Sequence, residues 1–481
     1  MKYDVTIIGA GVVGSFIARN LSKYDISVCL IDKENDVGNV TSMANSAIIH
    51  SGYDPLPGTN KAKFNVLGNK MYDKICDELC VPFERIGSLT IALTDEQLKV
   101  LEDLKKRSEE NGVEVSILSK EEVMELEPNI NKEVKGALLA KSAGIIDPFL
   151  LVVNVCENAI DNGVNLYLNE EIVDIKHEND EFVLSSKTGK TFTSKVVINA
   201  AGLASDKIAK MVGEIDWSIT PRKGQYFVLD HYQKGLVNHV LFPLPSIKGK
   251  GVLVTHTTSG DYLVGPSSEP VEDINDLSTD GTTLASVKAQ ALDLVPSIPF
   301  NKGIRVFAGN RATCTRHDFV IETSSSSDRF INLGGIESPG FVSSPAIAEY
   351  VVDNFVKKVL VLKEKKDYNP RIRKFYHLKD MSDEEKNALI KKDPTYGKMV
   401  CFCEQVSLGE VRDALSRSCP PHSVKAMKKR VRAGFGKCQG GFCQPNIVKE
   451  LARHYGLSWL DVNYDEIDSN ILSKDVKGGQ K

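Results

Sequence analysis

The chain has 481 residues, which is more than one compact core usually accommodates, so two or three domains are expected. Hydrophobic residues make up 42% and charged residues 26% of it, an ordinary composition for a globular protein. The formal net charge of −4 argues against a nucleic-acid-binding protein. No apolar run reaches the ~20 residues that cross a bilayer, and the chain begins in a strand pattern without a secretory leader, so a cytoplasmic protein is predicted.

The N-terminal segment has the pattern of a nucleotide-binding unit. A β-branched apolar run predicts a strand, a turn containing Gly9, Gly11 and Gly14 follows it, and a helical pattern comes next. A second predicted strand ends in Asp32, 18 residues beyond Gly14. The glycines permit a tight turn, the approach of a pyrophosphate and close helix–strand packing, while Asp32 can accept hydrogen bonds from a ribose. The unit predicts dinucleotide binding and leaves FAD and NAD open.

The next segment is similar to a known flavin-binding loop. Residues 41–52 read TSMANSAIIHSG, which resembles this loop in the D-amino-acid-oxidase-like FAD-dependent oxidoreductases. Within that superfamily, residues 1–360 resemble the soluble type 2 glycerol-3-phosphate dehydrogenases and oxidases. The matching motifs are PRKGQY at 221–226, GKGV at 249–252, YLVGP at 262–266, FAGNR at 307–311 and GGIESPG at 334–340. The resemblance implies FAD as the cofactor.

The resemblance also implies which residues bind FAD. In addition to the three glycines and Asp32, they are Thr41, Ser42, Asn45, Ser46, Ile172, Gly202, Gly334, Gly335, Pro339, Gly340 and Phe341. Strands are predicted over 195–202 and 330–335, both ending in small residues that permit close approach of a cofactor. A helix is predicted over 345–356. The turn 338–340 would direct backbone N–H groups at the flavin, where they would stabilise negative charge on its reduced form.

A substrate domain is predicted from residues 81–140 and 212–325, with an antiparallel sheet over the flavin. By the resemblance, the catalytic residues are His50, Lys250, Arg311 and Ser338, and the substrate-binding residues are Lys250, Arg311, Arg316 and Ser338. A histidine suits removal of a hydroxyl proton because its pKa lies near neutrality. Arginine and lysine suit a phosphate dianion.

The implied reaction is oxidation of sn-glycerol 3-phosphate to dihydroxyacetone phosphate by hydride transfer to flavin N5. Ile336 and Glu337 stand where relatives can have lysine, and a carboxylate near a phosphate is unfavourable unless it points away. L-2-hydroxyglutarate or another 2-hydroxy acid is therefore the alternative substrate. A non-catalytic electron-transfer or redox-sensing flavoprotein is the alternative of a different class.

Two close pairs of cysteines near the C-terminus predict a metal site. Cys401 and Cys403 are followed by Cys438 and Cys443, the second pair in a glycine-filled turn. Four thiolates suit a [2Fe–2S] cluster; zinc, which usually has C-x2-C spacing, and a metal-free thiol site are the rivals. The stretch RAGFGKCQGGFC at 432–443 resembles the bacterioferritin-associated-ferredoxin-like domain, which binds a [2Fe–2S] cluster. Such a cluster implies that electrons leave singly, toward a quinone or a partner flavoprotein.

A run of basic residues lies between the cysteine pairs: Lys425, Lys428, Lys429, Arg430 and Arg432. Such a run could bind nucleic acid. Because the domain is small and the whole chain is acidic, a position beside the anionic cluster or on the surface for an acidic partner is favoured, and no nucleic-acid partner is expected.

The predicted fold class is α/β, with a Rossmann-like FAD-binding domain, an inserted α+β substrate domain and a small helical [2Fe–2S]-binding domain. The FAD-binding domain is assigned to 1–80, 141–211 and 326–360, the substrate domain to 81–140 and 212–325, a linker to 361–396, the cluster domain to 397–460 and a tail to 461–481. The last seven residues, 475–481, are expected to be disordered. A peripheral position on the inner face of the membrane is left open.

Overall fold

The structure, a computed structural model, describes residues 1–231, 235–245 and 251–474. Its strands are β1 (Lys2–Ile8), β2 (Val28–Ile31), β3 (Ile48–Ile49), β4 (Phe83–Glu84), β5 (Ser88–Ala92), β6 (Ser116–Ser119), β7 (Gly136–Ala140), β8 (Gly144–Ile146), β9 (Asn165–Tyr167), β10 (Ile172–Glu178), β11 (Glu181–Ser186), β12 (Thr191–Asn199), β13 (Ile219–Leu229), β14 (Val240–Pro243), β15 (Leu253–His256), β16 (Tyr262–Gly265), β17 (Glu269–Pro270), β18 (Gly303–Cys314), β19 (Val320–Ser324), β20 (Ser327–Gly334), β21 (Met399–Cys401) and β22 (Val406–Ser407). Its α-helices are α1 (Val12–Leu21), α2 (Asn60–Asn69), α3 (Tyr72–Glu78), α4 (Asp95–Glu110), α5 (Lys120–Leu126), α6 (Pro148–Asp161), α7 (Ser205–Lys210), α8 (Gly281–Leu294), α9 (Gly340–Val351), α10 (Lys357–Val359), α11 (Asp383–Lys392), α12 (Leu408–Leu415), α13 (Val424–Val431) and α14 (Gln444–Tyr455).

The first large sheet has the strand order β10-β11-β12-β1-β2-β9, with β20 beside β12 and β19 beside β20. Strand β1 pairs in parallel with both β12 and β2, and β2 pairs in parallel with β9. Every residue of β2 is buried, as expected for a parallel strand covered on both faces. Helix α1 packs against α6 and α9. These features confirm the predicted α/β class with a Rossmann-like sheet.

The strand–turn–helix–strand unit at the N-terminus is confirmed. Gly9 has a φ of +107°, a conformation that residues with a side chain rarely adopt. A Cβ atom added to Gly14 would lie 1.9 Å from the carbonyl oxygen of Gly9. Glycine at both positions therefore lets α1 begin directly on the turn that follows β1.

The later predicted elements are present with shifted ends. Strand β12 ends at Asn199, three residues before the predicted end at Gly202, and β20 ends at Gly334. Helix α9 begins at Gly340, earlier than the predicted start at Pro345, and a π-helical segment continues it to Val356.

The second large sheet has the order β17-β13-β16-β15-β14-β5-β7-β6, with β18 beside β13. It combines strands from both stretches assigned to the substrate domain, because β5 pairs in parallel with β14. Strands β13 and β18 are long antiparallel neighbours, and their register places Arg222 opposite Arg311. Since side chains alternate along a strand, Arg222, Gly224 and Tyr226 share one face of β13.

The C-terminal part consists of the β21–β22 hairpin and helices α12, α13 and α14, which pack around a hydrophobic core of their own. The segment assigned to the linker carries α11, which has no buried residue. Residues 461–474, assigned to a tail, include the buried Val462 and also Asp465, which forms an ion pair with Lys425. Residues 475–481 lie outside the described part of the chain.

Buried ion pairs join this C-terminal part to the FAD-binding part. Asp36 contacts Arg430 at 2.9 and 3.0 Å and Lys429 at 2.6 Å, and all three side chains are 3% exposed. Arg417 contacts Glu157 at 2.7 Å. Burial alone would raise the pKa of Asp36, but the two cations hold it well below its ordinary value.

Part of the basic run lies beside the cluster cysteines, as predicted: Arg432 pairs with Glu404 at 3.0 Å, directly after Cys403, and Lys428 interacts electrostatically with Cys443. Most of its members form ion pairs with carboxylates of this same chain, and Lys428 is buried with its ammonium 4.4 Å from the centre of the Phe435 ring. The prediction allowed for an acidic surface on a separate partner. Part of that acidic surface belongs to this same chain, for example Asp36, which is distant in sequence from the basic run.

Candidate functional site

A cavity of about 1010 Å³ is lined by residues of both the FAD-binding and the substrate parts. The predicted site residues in its wall are Gly11, Thr41, Ser42, Asn45, Ser46, His50, Gly202, Arg311, Ser338, Pro339, Gly340 and Phe341. The structure thus brings together most of the positions that the resemblance implies. The volume is at the upper end of the range for small-molecule and cofactor sites.

One end of the cavity begins at the glycine turn. Gly11 precedes α1 and has no side chain to cap it, and the N–H of Val12 donates to the Ser42 hydroxyl at 2.9 Å. The N-terminus of such a helix attracts a phosphate through its dipole and the other N–H groups of its first turn. The carboxylate of Asp32 accepts hydrogen bonds from the N–H groups of Ala10 at 2.5 Å and Glu34 at 2.9 Å. Burial raises the pKa of Asp32 to about 6. These residues fit the pyrophosphate and ribose of a dinucleotide.

Several predicted FAD residues lie behind the cavity wall. Ile172 packs in the sheet core beside Ile8 and Ile31. A Cβ atom on Gly334 would lie 2.6 Å from the Trp217 ring, and one on Gly335 would lie 2.4 Å from Cys314. These two glycines are therefore required by packing, as Gly9 and Gly14 are.

The loop that resembles a flavin-binding loop is fixed to strands of the second sheet. The hydroxyl of Thr41 donates to the carbonyl of Asn310 at 2.9 Å, and the hydroxyls of Ser46 and Tyr226 are 3.0 Å apart. A Cβ atom on Gly309 would lie 2.4 Å from the carbonyl oxygen of Ala44. The loop and β18 consequently lie in close contact, which closes one side of the cavity.

His50 follows β3 and is held by its backbone. The side-chain amides of Asn65 and Asn69 both donate to the His50 carbonyl, at 2.6 and 3.0 Å. The imidazole lies 5.8 Å from the Phe242 ring, centroid to centroid. Contacts from α2 and β14 therefore define the position of the imidazole in the cavity wall.

Two arginines lie side by side in the wall. The guanidinium of Arg311 donates to the Ser267 carbonyl at 2.7 Å and to the Ser268 hydroxyl at 3.2 Å. That of Arg222 donates to the same hydroxyl at 3.2 Å and to the Ser268 carbonyl at 3.1 Å. Neither forms an ion pair with a carboxylate among the described residues, so both charges are available to an anion.

Arg222 was not among the sequence-predicted site residues, nor were Tyr226 and Lys61, which also line the cavity. The sequence could have indicated that these residues lie together, because Arg222, Gly224 and Tyr226 alternate along one strand and therefore share one of its faces. The pairing of Arg222 with Arg311 requires the sheet register, which the sequence does not provide.

Glu337 faces the cavity, but its charge is neutralised. Lys61 forms an ion pair with it at 2.8 Å, and the Thr313 hydroxyl donates to its other oxygen at 2.8 Å. The carboxylate at this departure from the family pattern is therefore paired with a cation of the same wall.

Arg316 is a predicted substrate residue that the structure does not bring to the cavity. Arg316 follows the end of β18, and its guanidinium forms ion pairs with Asp216 and, at 2.7 Å, with Glu322. It is absent from the described cavity wall because these carboxylates hold it elsewhere. Lys250 lies outside the described residues.

The four predicted metal ligands come together in two pairs. The sulfur atoms of Cys403 and Cys438 are 3.6 Å apart, and the thiols of Cys401 and Cys443 are hydrogen-bonded. Two sulfurs on one tetrahedral metal lie roughly 3.8 Å apart, given metal–sulfur bonds of about 2.3 Å. Among the described residues, no three of these sulfurs lie within 4.8 Å of one another. Two pairs, one for each iron, fit a [2Fe–2S] cluster better than a single zinc ion.

The surroundings favour a thiolate at one cysteine of each pair, Cys401 and Cys438. The hydrogen bond with Cys401 raises the pKa of Cys443, and burial raises the pKa of Cys403. The hydrogen bond with Cys443 and the N–H groups of Glu404 and Gly434 lower the pKa of Cys401 to about 6, against the effect of burial. Burial would raise the pKa of Cys438, but N–H groups such as that of Gly440 lower it. Thiolates are the form that binds iron. Cys419, which the spacing excluded, lies in the FAD-binding core instead.

The structure therefore combines a cavity that fits a dinucleotide with a separate site of four cysteines, which defines a redox protein with two cofactors. The chain belongs to the FAD-dependent oxidoreductase family, which it matches over residues 4–354. Residues 399–453 match the BFD-like [2Fe–2S] binding domain. The cofactors predicted from the sequence, FAD and a [2Fe–2S] cluster, are those of the two matching families.

Similar proteins support the same assignment. A glycerol 3-phosphate dehydrogenase from Caloramator mitchellensis is 47% identical over 480 residues, which is 99% of each chain. A glycerol 3-phosphate oxidase from Mycoplasma genitalium is 36% identical and covers 76% of this chain and 97% of its own. The structure of L-α-glycerophosphate oxidase from Mycoplasma pneumoniae with FAD bound has a TM-score of 0.75 and 31% identity, and covers 78% of this chain and all of its own. None of the described helices combines the length and the apolar character of a membrane span.

Proposed function

We propose that this protein is an FAD-dependent glycerol-3-phosphate dehydrogenase that oxidises sn-glycerol 3-phosphate to dihydroxyacetone phosphate. The observation that carries this proposal is the similarity to a glycerol 3-phosphate dehydrogenase over 99% of both chains, which includes both cofactor-binding parts. The cavity supports it with the imidazole of His50 and with two arginines, Arg222 and Arg311. The two arginines form no ion pair with a carboxylate among the described residues.

In this reaction a secondary alcohol becomes a ketone, so the carbon loses a hydride and the hydroxyl loses a proton. FAD, when bound, would supply the two-electron acceptor for the hydride. His50 would take the hydroxyl proton, since an imidazole is a suitable base near neutral pH. Its backbone anchorage by Asn65 and Asn69 keeps the ring in place while the substrate binds.

Arg311 would bind the phosphate group. Its two hydrogen bonds to the 267–268 turn fix the guanidinium while leaving other N–H donors for the ligand. Ser338, in the turn before α9, would contact the substrate from the opposite segment of the wall. Lys250 is assigned to the same group by the resemblance alone.

Electrons would leave through the [2Fe–2S] cluster, to a partner flavoprotein or a quinone. The support is the ion-paired docking of the cluster-binding part on the FAD-binding part, since electron transfer requires proximity. A location in the cytoplasm, with a peripheral position on the inner face of the membrane, stays a prediction.

The substrate is tested by mixing the oxidised enzyme with candidate substrates in the absence of oxygen and following the flavin absorbance. We expect glycerol 3-phosphate to bleach the flavin rapidly. Bleaching by L-2-hydroxyglutarate alone would replace the proposed substrate. Relatives named L-2-hydroxyglutarate dehydrogenase are less similar, for example 28% identical over 55% of this chain for the Escherichia coli protein. A flavin that no substrate bleaches would indicate a non-catalytic flavoprotein.

A further inference from the structure

Arg432 occupies an unusual position at the junction of the three parts of the molecule. It directly follows α13 and has a φ of +62°, which is uncommon for a residue other than glycine. Its side chain is 13% exposed and forms ion pairs with Glu404 at 3.0 Å, Asp261 at 3.1 Å and Asp147 at 4.0 Å. A strained backbone at a buried charge suggests a positional requirement.

The three carboxylates come from three different parts of the chain. Glu404 directly follows the cysteine at 403, in the cluster-binding part. Asp261 lies in the turn between β15 and β16 of the second sheet. Asp147 caps α6, where its side chain accepts the N–H groups of residues 149 and 150 at 2.9 Å. The Arg432 guanidinium therefore joins the cluster-binding part to both other parts. Arginine suits this position because its planar guanidinium offers several fixed N–H donors.

On one side, this junction leads directly to the cavity wall. The residue before Asp147, Ile146, donates its N–H to the carbonyl of Ala47 at 3.0 Å, and Ala47 lines the cavity. Strand β8, which contains Ile146, pairs with β3, and β3 is followed immediately by His50. The Arg432 guanidinium is thus linked to the loop at 41–52 through Asp147, Ile146 and Ala47.

On the other side, the junction leads to the cluster ligands. The backbone N–H groups of Glu404 and Gly434 both donate to the thiol of Cys401. The Arg432 guanidinium also lies 4.9 Å from the centre of the Phe435 ring, which packs 5.1 Å from the ring of Phe149 in α6. Arg432 therefore contacts the segment that carries the cluster cysteines. Through Phe435 it is also linked to α6.

We propose that Arg432 is a positioning residue that fixes the cluster against the wall of the flavin cavity and so sets the rate of electron transfer between the two cofactors. This inference rests on the proposed function, in which substrate delivers two electrons to the flavin. The oxidised cluster accepts one of them and becomes reduced by one electron, while the second stays on the flavin. An added one-electron acceptor, such as a ferricenium salt, reoxidises the cluster, and the second electron then follows the same route to a second equivalent of acceptor. No bond to Arg432 forms or breaks.

The test compares Arg432→Met with the wild-type holoenzyme in rapid mixing with glycerol 3-phosphate under anaerobic conditions. Flavin reduction is followed by absorbance and cluster reduction by electron paramagnetic resonance of frozen samples. Arg412→Met is the matched control, because Arg412 pairs with Glu450 at 2.9 Å within the cluster-binding part. Amide hydrogen exchange of residues 257–262 and 144–150 reports docking without relying on activity.

We expect flavin reduction within twofold of the wild type in both variants. In Arg432→Met, cluster reduction should slow by at least about tenfold, because carboxylates left unpaired at a junction weaken docking, and amide exchange in 257–262 should become faster. Midpoint potentials are measured in every variant, and Arg432→Lys, which keeps the positive charge beside the cluster, should leave them unchanged, so that a change in position is separated from a change in driving force. Arg432→Lys, which keeps the charge but offers no planar fork, serves if the methionine variant does not fold, and it should also slow cluster reduction.

Unchanged cluster reduction in a folded Arg432 variant would overturn the proposal. So would an equal slowing of flavin and cluster reduction, since that would indicate a general structural role. If glycerol 3-phosphate fails to reduce the wild-type flavin, the proposed function is wrong. In that case photochemical reduction of the flavin still tests Arg432, because the subsequent cluster reduction is followed in the same way.

Discussion

Asp36 is the residue whose substitution should most clearly separate the cluster-binding part from the rest of the molecule. Its carboxylate contacts the Arg430 guanidinium through both oxygens and the Lys429 ammonium at 2.6 Å, and all three side chains are 3% exposed. Asp36→Asn keeps the shape but leaves two buried cations without a counter-charge. Removal of one partner of a buried pair costs roughly 3–5 kcal/mol, which lowers the docking equilibrium by about 10²-fold to about 4 × 10³-fold.

The assay is limited proteolysis of the exposed segment 361–396 together with calorimetry. Asp36→Asn should be cleaved faster and should show a separate unfolding transition for the C-terminal part. Asp77→Asn is the matched control: Asp77 pairs with Arg371 at 2.7 Å, but both side chains are more than half exposed. Exposed pairs contribute about 0–1 kcal/mol. If both variants resist cleavage equally, the buried ion pair does not maintain docking.

The same residue predicts a pH dependence. Although burial opposes it, Arg430 and Lys429 hold the native pKa of Asp36 below the ordinary value of 3.8. A lowered carboxyl pKa contributes stability that is fully present above the ordinary pKa and is lost as the pH falls toward the native value. Cleavage of the wild type should therefore accelerate below about pH 4, and Asp36→Asn should lack this acceleration.

Three further substitutions test the cavity and the cluster. His50→Asn should slow flavin reduction by about 10²-fold or more while FAD content is unchanged, measured by anaerobic rapid mixing; a normal rate would remove His50 from the proton step. Arg311→Met should raise the KM for glycerol 3-phosphate about tenfold or more, whereas Arg316→Met, whose guanidinium is paired outside the cavity, should not; equal effects in steady-state assays would contradict the placement of these residues. Cys438→Ala should abolish the cluster's paramagnetic signal and leave flavin bleaching by substrate intact, and a retained signal would exclude this ligand.

The parts of the site that could be predicted from the sequence depend on local spacing. The turn with Gly9 and Gly14 and the four cysteines each lie in short segments whose geometry follows from a few residues. The two cysteine pairs are far apart in sequence, but each pair is local, and a metal cluster is the simplest reason for both. The residues of the 41–52 loop could be predicted to bind FAD because a long ordered series of motifs accompanies them.

The remaining features depend on contacts between distant segments. Arg222 becomes a candidate anion ligand only when the register of β13 and β18 places it opposite Arg311. Arg316 was predicted in the substrate site because membrane-bound glycerol-3-phosphate dehydrogenases have a second arginine shortly after the first, but it lies beyond the end of β18, and its side chain turns toward Asp216. A short distance in sequence does not show whether a long side chain near the end of a strand points into the cavity or away from it.

The basic run illustrates the same limit for charges. Arg430 and its partner Asp36 are 394 residues apart in the chain, so composition could indicate only that an acidic surface was needed. The run was expected beside the cluster or on a surface for an external partner. Only the docked arrangement of the two parts identifies that surface as the protein's own.

The central claim is that one enzyme passes electrons from glycerol 3-phosphate to FAD and then to a [2Fe–2S] cluster. The most direct test is an anaerobic reductive titration of the holoenzyme with glycerol 3-phosphate, with the flavin followed by absorbance and the cluster by electron paramagnetic resonance in the same samples. The account predicts that both cofactors become reduced, and that in Cys438→Ala only the flavin does. A wild-type flavin that stays oxidised, or a cluster that stays oxidised while the flavin is fully reduced, would contradict it.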